Sequence, residues 1–336
     1  MKRRNSFVLQ LASLAFSFSI TAIPASASFI INATFGSDIQ GDKNASTIES
    51  TINAVIANYE TMITTSISIN VTFGEMSSGL GQSSIYTYAI PYSSYISALF
   101  AHASSADDFT AISKLSQTAT LDPVDSQSSI QMTGANAKAL GLGTFSVTHA
   151  ASEATVSLNT SIMNLSRTGT QNSNYYDLQG VVSHELDEVL GLGSSLGTTK
   201  SFSSPEDLFR YAANGSGGTC SSVKNRSYSA SAAACFSIDG TTGLAQFNNT
   251  ASGDTGDWLT PVKAASVQIQ DANGTTGTQP NLGVELRALD VIGYDLAPAY
   301  QYTVASQSSQ SAAPEPGSVA LAALALAGMA IKRRKF

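Results

Sequence analysis

The 336-residue chain is poor in the residues from which reactive centres are usually built: 2 cysteines, 3 histidines, 1 tryptophan and only 12% charged side chains. Basic residues are scarcest in the middle. Seven of the 17 Lys and Arg sit at the two ends, in Lys2-Arg3-Arg4 and Lys332-Arg333-Arg334-Lys335, leaving 10 against 23 acidic residues between Ser28 and Tyr300. The net charge of that central part is −13. No basic patch remains to meet phosphates, which argues against nucleic acid or an anionic membrane surface as a partner. A Gly-rich phosphate loop, a nucleophile elbow and an ordered Ser-His-Asp set are all missing. Neither cysteine has a second Cys or His nearby, so a cysteine-based metal site is disfavoured. Cys220 and Cys235 instead predict one disulfide that closes a fifteen-residue loop and stabilises the fold by about 3 kcal/mol in an oxidising compartment.

What is present begins with two end segments. Lys2-Arg3-Arg4, the apolar stretch Phe7 to Ile23 and the small residues Ala25 and Ala27 form a signal-peptide pattern. Residues 1–27 are read as that signal, cut after Ala27. At the other end, residues 301–313 form a Ser/Gln/Ala linker that cannot build a core. Residues 314–336 then run Pro314-Glu315-Pro316-Gly317, an apolar stretch Ser318 to Ile331, and the basic cluster. This segment resembles the PEP-CTERM sorting signal of Gram-negative bacteria. The resemblance implies an exported protein, recognised by an exosortase-type enzyme, whose tail is removed so that it reaches the cell surface or the extracellular space. A helix of the fourteen apolar residues reaches about 21 Å, short of a roughly 30 Å hydrocarbon core. Such a short transmembrane segment suits a transient stop, with the basic cluster left on the cytoplasmic side.

Residues 28–300 remain as one domain. Phe29 to Phe35 reads as a strand, Ala45 to Tyr59 as a helix with one wet face, and Ile67 to Phe73 as a half-buried strand. Tyr92 to Phe100 and Asp107 to Leu115 read as shorter helices, Thr144 to Val147 and Ala154 to Leu158 as further strands. Tyr175 to Leu190 reads as a helix stopped by Gly191. Cys235 to Gly240 looks strand-like, and Gly283 to Leu296 reads as a final helix. This order predicts a mixed α+β layer.

The helix ending at Gly191 carries His184-Glu185-Leu186-Asp187-Glu188. His184 and Glu188, four apart, stack on one helical face and can hold one metal ion. Glu185 points about 100° away and can reach a metal-bound water. This is the logic of H-E-x-x-H with Glu in place of the second His, and composition alone predicts only ~0.002 such strings in the chain. The competing reading is a solvated acidic face with a stray His. A catalytic zinc needs a third protein ligand; Asp207 and Glu206 lie nearest in sequence. Asp207 reads somewhat better as a cap of the following helix, since it precedes Leu208-Phe209-Arg210. His149 and His102 are the other histidines. Asp239, Asp254 and Asp257 suggest a calcium loop, but the full pattern is lacking and turn chemistry explains them better.

The run His184 to Gly191 is similar to the metzincin signature H-E-x-x-H-x-x-G-x-x-H. With Asp207-Leu208-Phe209-Arg210-Tyr211, Gly253 to Trp258 and Leu289 to Asp295, the chain resembles PEP-CTERM-tagged bacterial zinc metalloproteases over most of residues 29–297. The resemblance implies a zincin-like domain: a twisted mixed sheet, an active-site helix and a loop-rich C-terminal part ending in a helix. It makes His184 and Glu188 ligands of Zn2+ and Glu185 the general base of a monomeric endopeptidase acting on a protein or peptide substrate. Tyr211 and Tyr294 are available to the oxyanion. The chain departs from the signature in Glu188, in Ser194 at the third-ligand place, and in having no Met beneath the site. Those departures keep a second reading open, a non-catalytic surface or biofilm-matrix protein on a degenerate protease scaffold.

Overall fold

A computed structural model describes residues 28–143, 152–196, 202–261 and 266–302. The signal, the sorting segment, the expected strand Thr144 to Val147 and His149 lie outside the described residues. The elements in chain order are β1 (Ile30–Phe35), α1 (Ser37–Gly41), α2 (Ala45–Met62), β2 (Ser68–Glu75), β3 (Gly81–Ile85), β4 (Thr87–Pro91), α3 (Tyr92–His102) and α4 (Ala106–Ile112). They continue with β5 (Ser129–Thr133), α5 (Gly134–Ala139), β6 (Ala154–Leu158), β7 (Met163–Asn164), β8 (Tyr176–Asp177) and α6 (Leu178–Leu190). The last are β9 (Arg210–Ala213), β10 (Val223–Arg226), β11 (Ala234–Phe236), β12 (Ala245–Gln246) and α7 (Val284–Val291). The architecture is mixed α+β.

The main sheet runs β1-β2-β6-β3. β1, β2 and β6 are parallel, and β3 pairs with β6 antiparallel as the edge strand. The alternation that marks β2 as half-buried sends Ile69, Val71 and Phe73 into the core. On α2, Ile48, Ile52, Val55, Ile56 and Tyr59 recur at helical spacing and are all buried. Each such side chain contributes about 1.5–3 kcal/mol by leaving water, enough to hold a helix whose N-cap has no side-chain hydrogen bond. α6 lies between α2 and the β6-β3 edge, with Leu186, Val189 and Leu190 buried beneath it. This places the outward face of α6 along β3.

Several boundaries differ from the sequence reading. The helix expected from Tyr175 starts at Leu178, because Tyr176–Asp177 pair as a short parallel strand with Met163–Asn164. Asp177 becomes the N-cap, accepting the Gly180 N–H at 2.8 Å while paired with Arg167 at 2.7 Å. The final helix closes at Val291, since Gly293 turns with φ +115°. The strand at Cys235 covers only Ala234–Phe236. It belongs to a second, antiparallel sheet, β10-β9-β11-β12, stapled by the Cys220–Cys235 disulfide. Among the described residues no helix is long and apolar enough to cross a membrane.

Candidate metal centre

α6 is built to end abruptly. Gly191, with φ +120°, takes the left-handed position, and its N–H and that of Leu192 close back onto the Asp187 carbonyl. One turn earlier, His184 and Glu188 emerge on the same face, with Nε2 3.7 Å from Glu188 Oε1. A third group reaches them from the loop after Gly253. Asp257 Oδ1 stands 3.8 Å from His184 Nε2, and one atom from each of the three residues lies within 4.8 Å of the others. The sequence reading singled out that Gly-Asp loop but assigned it to turn chemistry. Asp257 is the member of the cluster that it did not bring to His184 and Glu188.

Glu206 and Asp207, the ligands expected from sequence proximity, do not reach the site. Both are fully buried in a 3₁₀ turn, Glu206–Phe209. Glu206 accepts the Gly193 N–H at 2.6 Å. Asp207 accepts the Ser194 hydroxyl at 2.7 Å, the Ser204 N–H at 3.0 Å and the Arg210 guanidinium at 3.1 Å. Arg210 stacks on Phe247 and donates to the Thr255 carbonyl, so this buried charge cluster binds the turn after α6 to the loop that carries Asp257. Ser194, at the third-ligand place of the signature, is thereby committed to Asp207. Tyr294 is likewise committed, donating to the Leu190 carbonyl at 2.8 Å, and Tyr211 packs on Gly240 below Arg226. Neither tyrosine faces the site. His102 ends α3, outside the cluster.

Each of the three clustered residues is oriented by a further contact. His184 Nδ1–H donates to the Ile269 carbonyl at 2.9 Å, which leaves Nε2 as the ring nitrogen facing Glu188 and Asp257. Ser83 on β3 donates to Glu188 Oε2. Gln270 Nε2 donates to Asp257 Oδ1 at 3.2 Å, while the Gln270 N–H and the Trp258 indole N–H both donate to buried Glu285 at 3.1 Å. On the inner face of α6, Tyr59 donates to Asp187 at 2.7 Å. Asp187 therefore faces the core, away from the ligand face.

The electrostatics follow from burial and crowding. Burial pushes the Glu185 carboxyl up to about 8, helped by the neighbouring Glu188, and pushes Asp257 up to about 7. Burial alone would lower the His184 pKa; Glu188, Asp257 and Glu185 outweigh it and hold the imidazole well above its usual value. A divalent cation would replace that proton and relieve the repulsion among the carboxylates.

The cluster opens on a cavity of about 330 Å³ bounded by β3, α6 and the loop of Asp254, Asp257 and Asp271. A second cavity of about 290 Å³ continues past Glu188 toward Ser194 and Pro205. Ser83, Glu188 and Asp254 belong to both, so the two form one cleft along β3 with the cluster at its middle.

Comparison with curated proteins and with solved structures finds no match to the chain. The family model of the PEP-CTERM protein-sorting motif matches residues 312–335. The chain therefore carries an exosortase-type sorting signal and is exported, with processing at its C-terminus, to the cell surface or extracellular space.

Proposed function

We propose that the domain is a zinc-dependent endopeptidase of zincin-like design, acting as a monomer on protein or peptide substrates outside the cell. The observation that carries this reading is the convergence of His184, Glu188 and Asp257, with ligand atoms within 4.8 Å of one another and the far side of the imidazole already committed to a carbonyl. An imidazole in the donor set favours zinc over calcium or magnesium, which prefer oxygen throughout. One His and two carboxylates would make a charge-neutral zinc site.

Zinc bound there supplies a Lewis acid and a water of lowered pKa. Glu185 sits on the cavity wall beside the cluster, 5% exposed, and its carboxylate would be the base that holds a proton there and passes it to the leaving amine. A carboxyl with a pKa near 8 holds a proton well at neutral pH, and a cation nearby would bring it back toward the range of a base. Among the described residues the outer edge of β3 has no strand partner and borders the cleft, so an extended peptide can add to it by backbone hydrogen bonds. That geometry supports a polypeptide substrate.

Metal analysis and peptide hydrolysis of the purified protein test the reading. It expects near-stoichiometric zinc, lost in Glu188→Ala and Asp257→Ala, and hydrolysis lost in Glu185→Ala with zinc retained. A wild-type protein without zinc, or a Glu185→Ala variant that cleaves as fast as wild type, overturns it and leaves the non-catalytic scaffold.

A further inference from the structure

Among the described residues, the charged side chains on the cleft wall other than His184 are carboxylates. Among the described residues, neither cavity has a Lys or Arg on its wall. Carboxylates come from α6 and from the 254–271 region, and in a zinc-loaded site Glu188 and Asp257 cancel the ion's charge. Asp254, Asp271 and Glu185 then remain. Asp177, also on the wall, is neutralised by Arg167.

Two of these carboxylates bear on the cavities themselves. Asp271 is 6% exposed on the wall of the larger cavity; its Oδ2 accepts the Gln268 N–H at 2.9 Å, and its Oδ1 has no hydrogen-bond partner. A buried acceptor left open beside a cavity is costly unless something enters that can donate to it. Asp254 is exposed and belongs to both cavities, so it stands where a substrate crosses from one to the other. The larger cavity, about 330 Å³, has room for one long side chain.

We infer that this cleft selects polypeptides carrying a lysine or arginine next to the metal cluster, with Asp254 and Asp271 as the residues that read the positive charge. The inference rests on the peptidase reading and names its substrate class. A long cationic side chain laid in the larger cavity would bring its donors to the Asp271 carboxylate and its charge under Asp254. The same field would draw basic segments to an otherwise acidic protein and repel acidic ones. The preference is then set by charge and weakens as salt rises.

Binding separates this inference from the catalytic one. Fluorescent hexapeptides of Ala and Gly, with Lys, norleucine or Glu at one central position, are titrated by anisotropy against the zinc-loaded full chain carrying Glu185→Gln. The expected order is Lys at least tenfold tighter than norleucine, with Glu weakest, and the Lys advantage shrinking by several-fold between 50 and 500 mM NaCl (order-of-magnitude expectations from charge screening). Asp254→Asn should reduce the Lys-to-norleucine ratio, and Asp254→Lys should invert the order. Asp254 is exposed, so neither change threatens folding; Asp271→Asn is the second test, with folding checked by its thermal midpoint. Equal binding of Lys and norleucine peptides, or no binding of either, overturns the charge selection. Failure of wild type to hydrolyse any peptide overturns the enzymatic reading instead.

Discussion

Gly81 on β3 leaves room for the carboxylate of Glu185 on α6. A Cβ at that position would fall well inside van der Waals contact distance of Oε1 and 2.8 Å from Val181 Cγ1. The glycine is needed for the close approach of helix to strand. Gly81→Ala should push Glu185 aside and lower kcat by about 10²-fold, the cost of a displacement of roughly 1 Å in a reacting group. The atoms nearest that Cβ belong to Glu185 and Val181 and not to the proposed ligands His184, Glu188 and Asp257, so zinc content should stay near wild type. A variant with unchanged kcat would show that Glu185 does not take part.

The metal cluster and the buried cluster behind it should separate under mutation. Asp257→Asn keeps the loop and the Gln270 contact region but removes a charged ligand, so zinc should bind at least tenfold more weakly in a chelator competition (roughly the loss expected for one ligand). Glu206 and Asp207 hold the turn after α6 instead. Ser194→Ala, which removes the hydrogen bond to Asp207 and the acceptor of the Leu196 N–H, should cost about 1–3 kcal/mol of stability and leave zinc stoichiometry unchanged. Loss of zinc in Ser194→Ala at an unaltered thermal midpoint would place Ser194 in the metal shell.

Tyr59 and Asp187 pair beneath the site at 2.7 Å with both side chains fully buried. Tyr59→Phe strands the Asp187 carboxyl in the core. The expected loss is about 1–3 kcal/mol, read as a lower urea midpoint with unchanged slope.

A second acidic cluster, remote from the cleft, sets part of the pH dependence. Burial, reinforced by Asp108, pushes Asp290 up to about 8, and Ser105 donates to its Oδ2 at 2.5 Å. A carboxyl whose folded pKa lies above the unfolded value of about 4 holds its proton more tightly in the native state. Its contribution to stability is therefore present below pH 4 and falls as pH rises toward 8. Thermal midpoints measured from pH 4 to pH 8 should decline, and Asp290→Asn should flatten that decline. A slope identical to wild type would show that Asp290 does not titrate in this window.

Cys220 and Cys235 cross-link a small buried cluster of Tyr211, Val223 and Cys235, with a sequence separation of 15. Reduction should destabilise the protein by about 3 kcal/mol, the loop-closure entropy returned to the unfolded chain. Denaturant midpoints with and without reductant measure it.

Much of this was readable in the linear chain because it depends on neighbours a few residues apart. The helical spacing of Ile48, Ile52, Val55, Ile56 and Tyr59, the alternation of Ile69, Val71 and Phe73, the i,i+4 pair His184 and Glu188, and the stop at Gly191 are all local patterns. The sorting signal is likewise a contiguous string. The third member of the proposed metal cluster was not readable this way. Glu206 and Asp207 are closer in sequence, yet their backbone turns inward and Arg210 engages Asp207, while Asp257 arrives from a loop set by the Gly193–Gly256 contact, where a Cβ on Gly256 would meet Gly193 Cα at 2.5 Å. Covalent order ranks candidates by chain distance. A metal ion selects them by distance in space, and only the packed loops decide which carboxylate comes within reach of the imidazole.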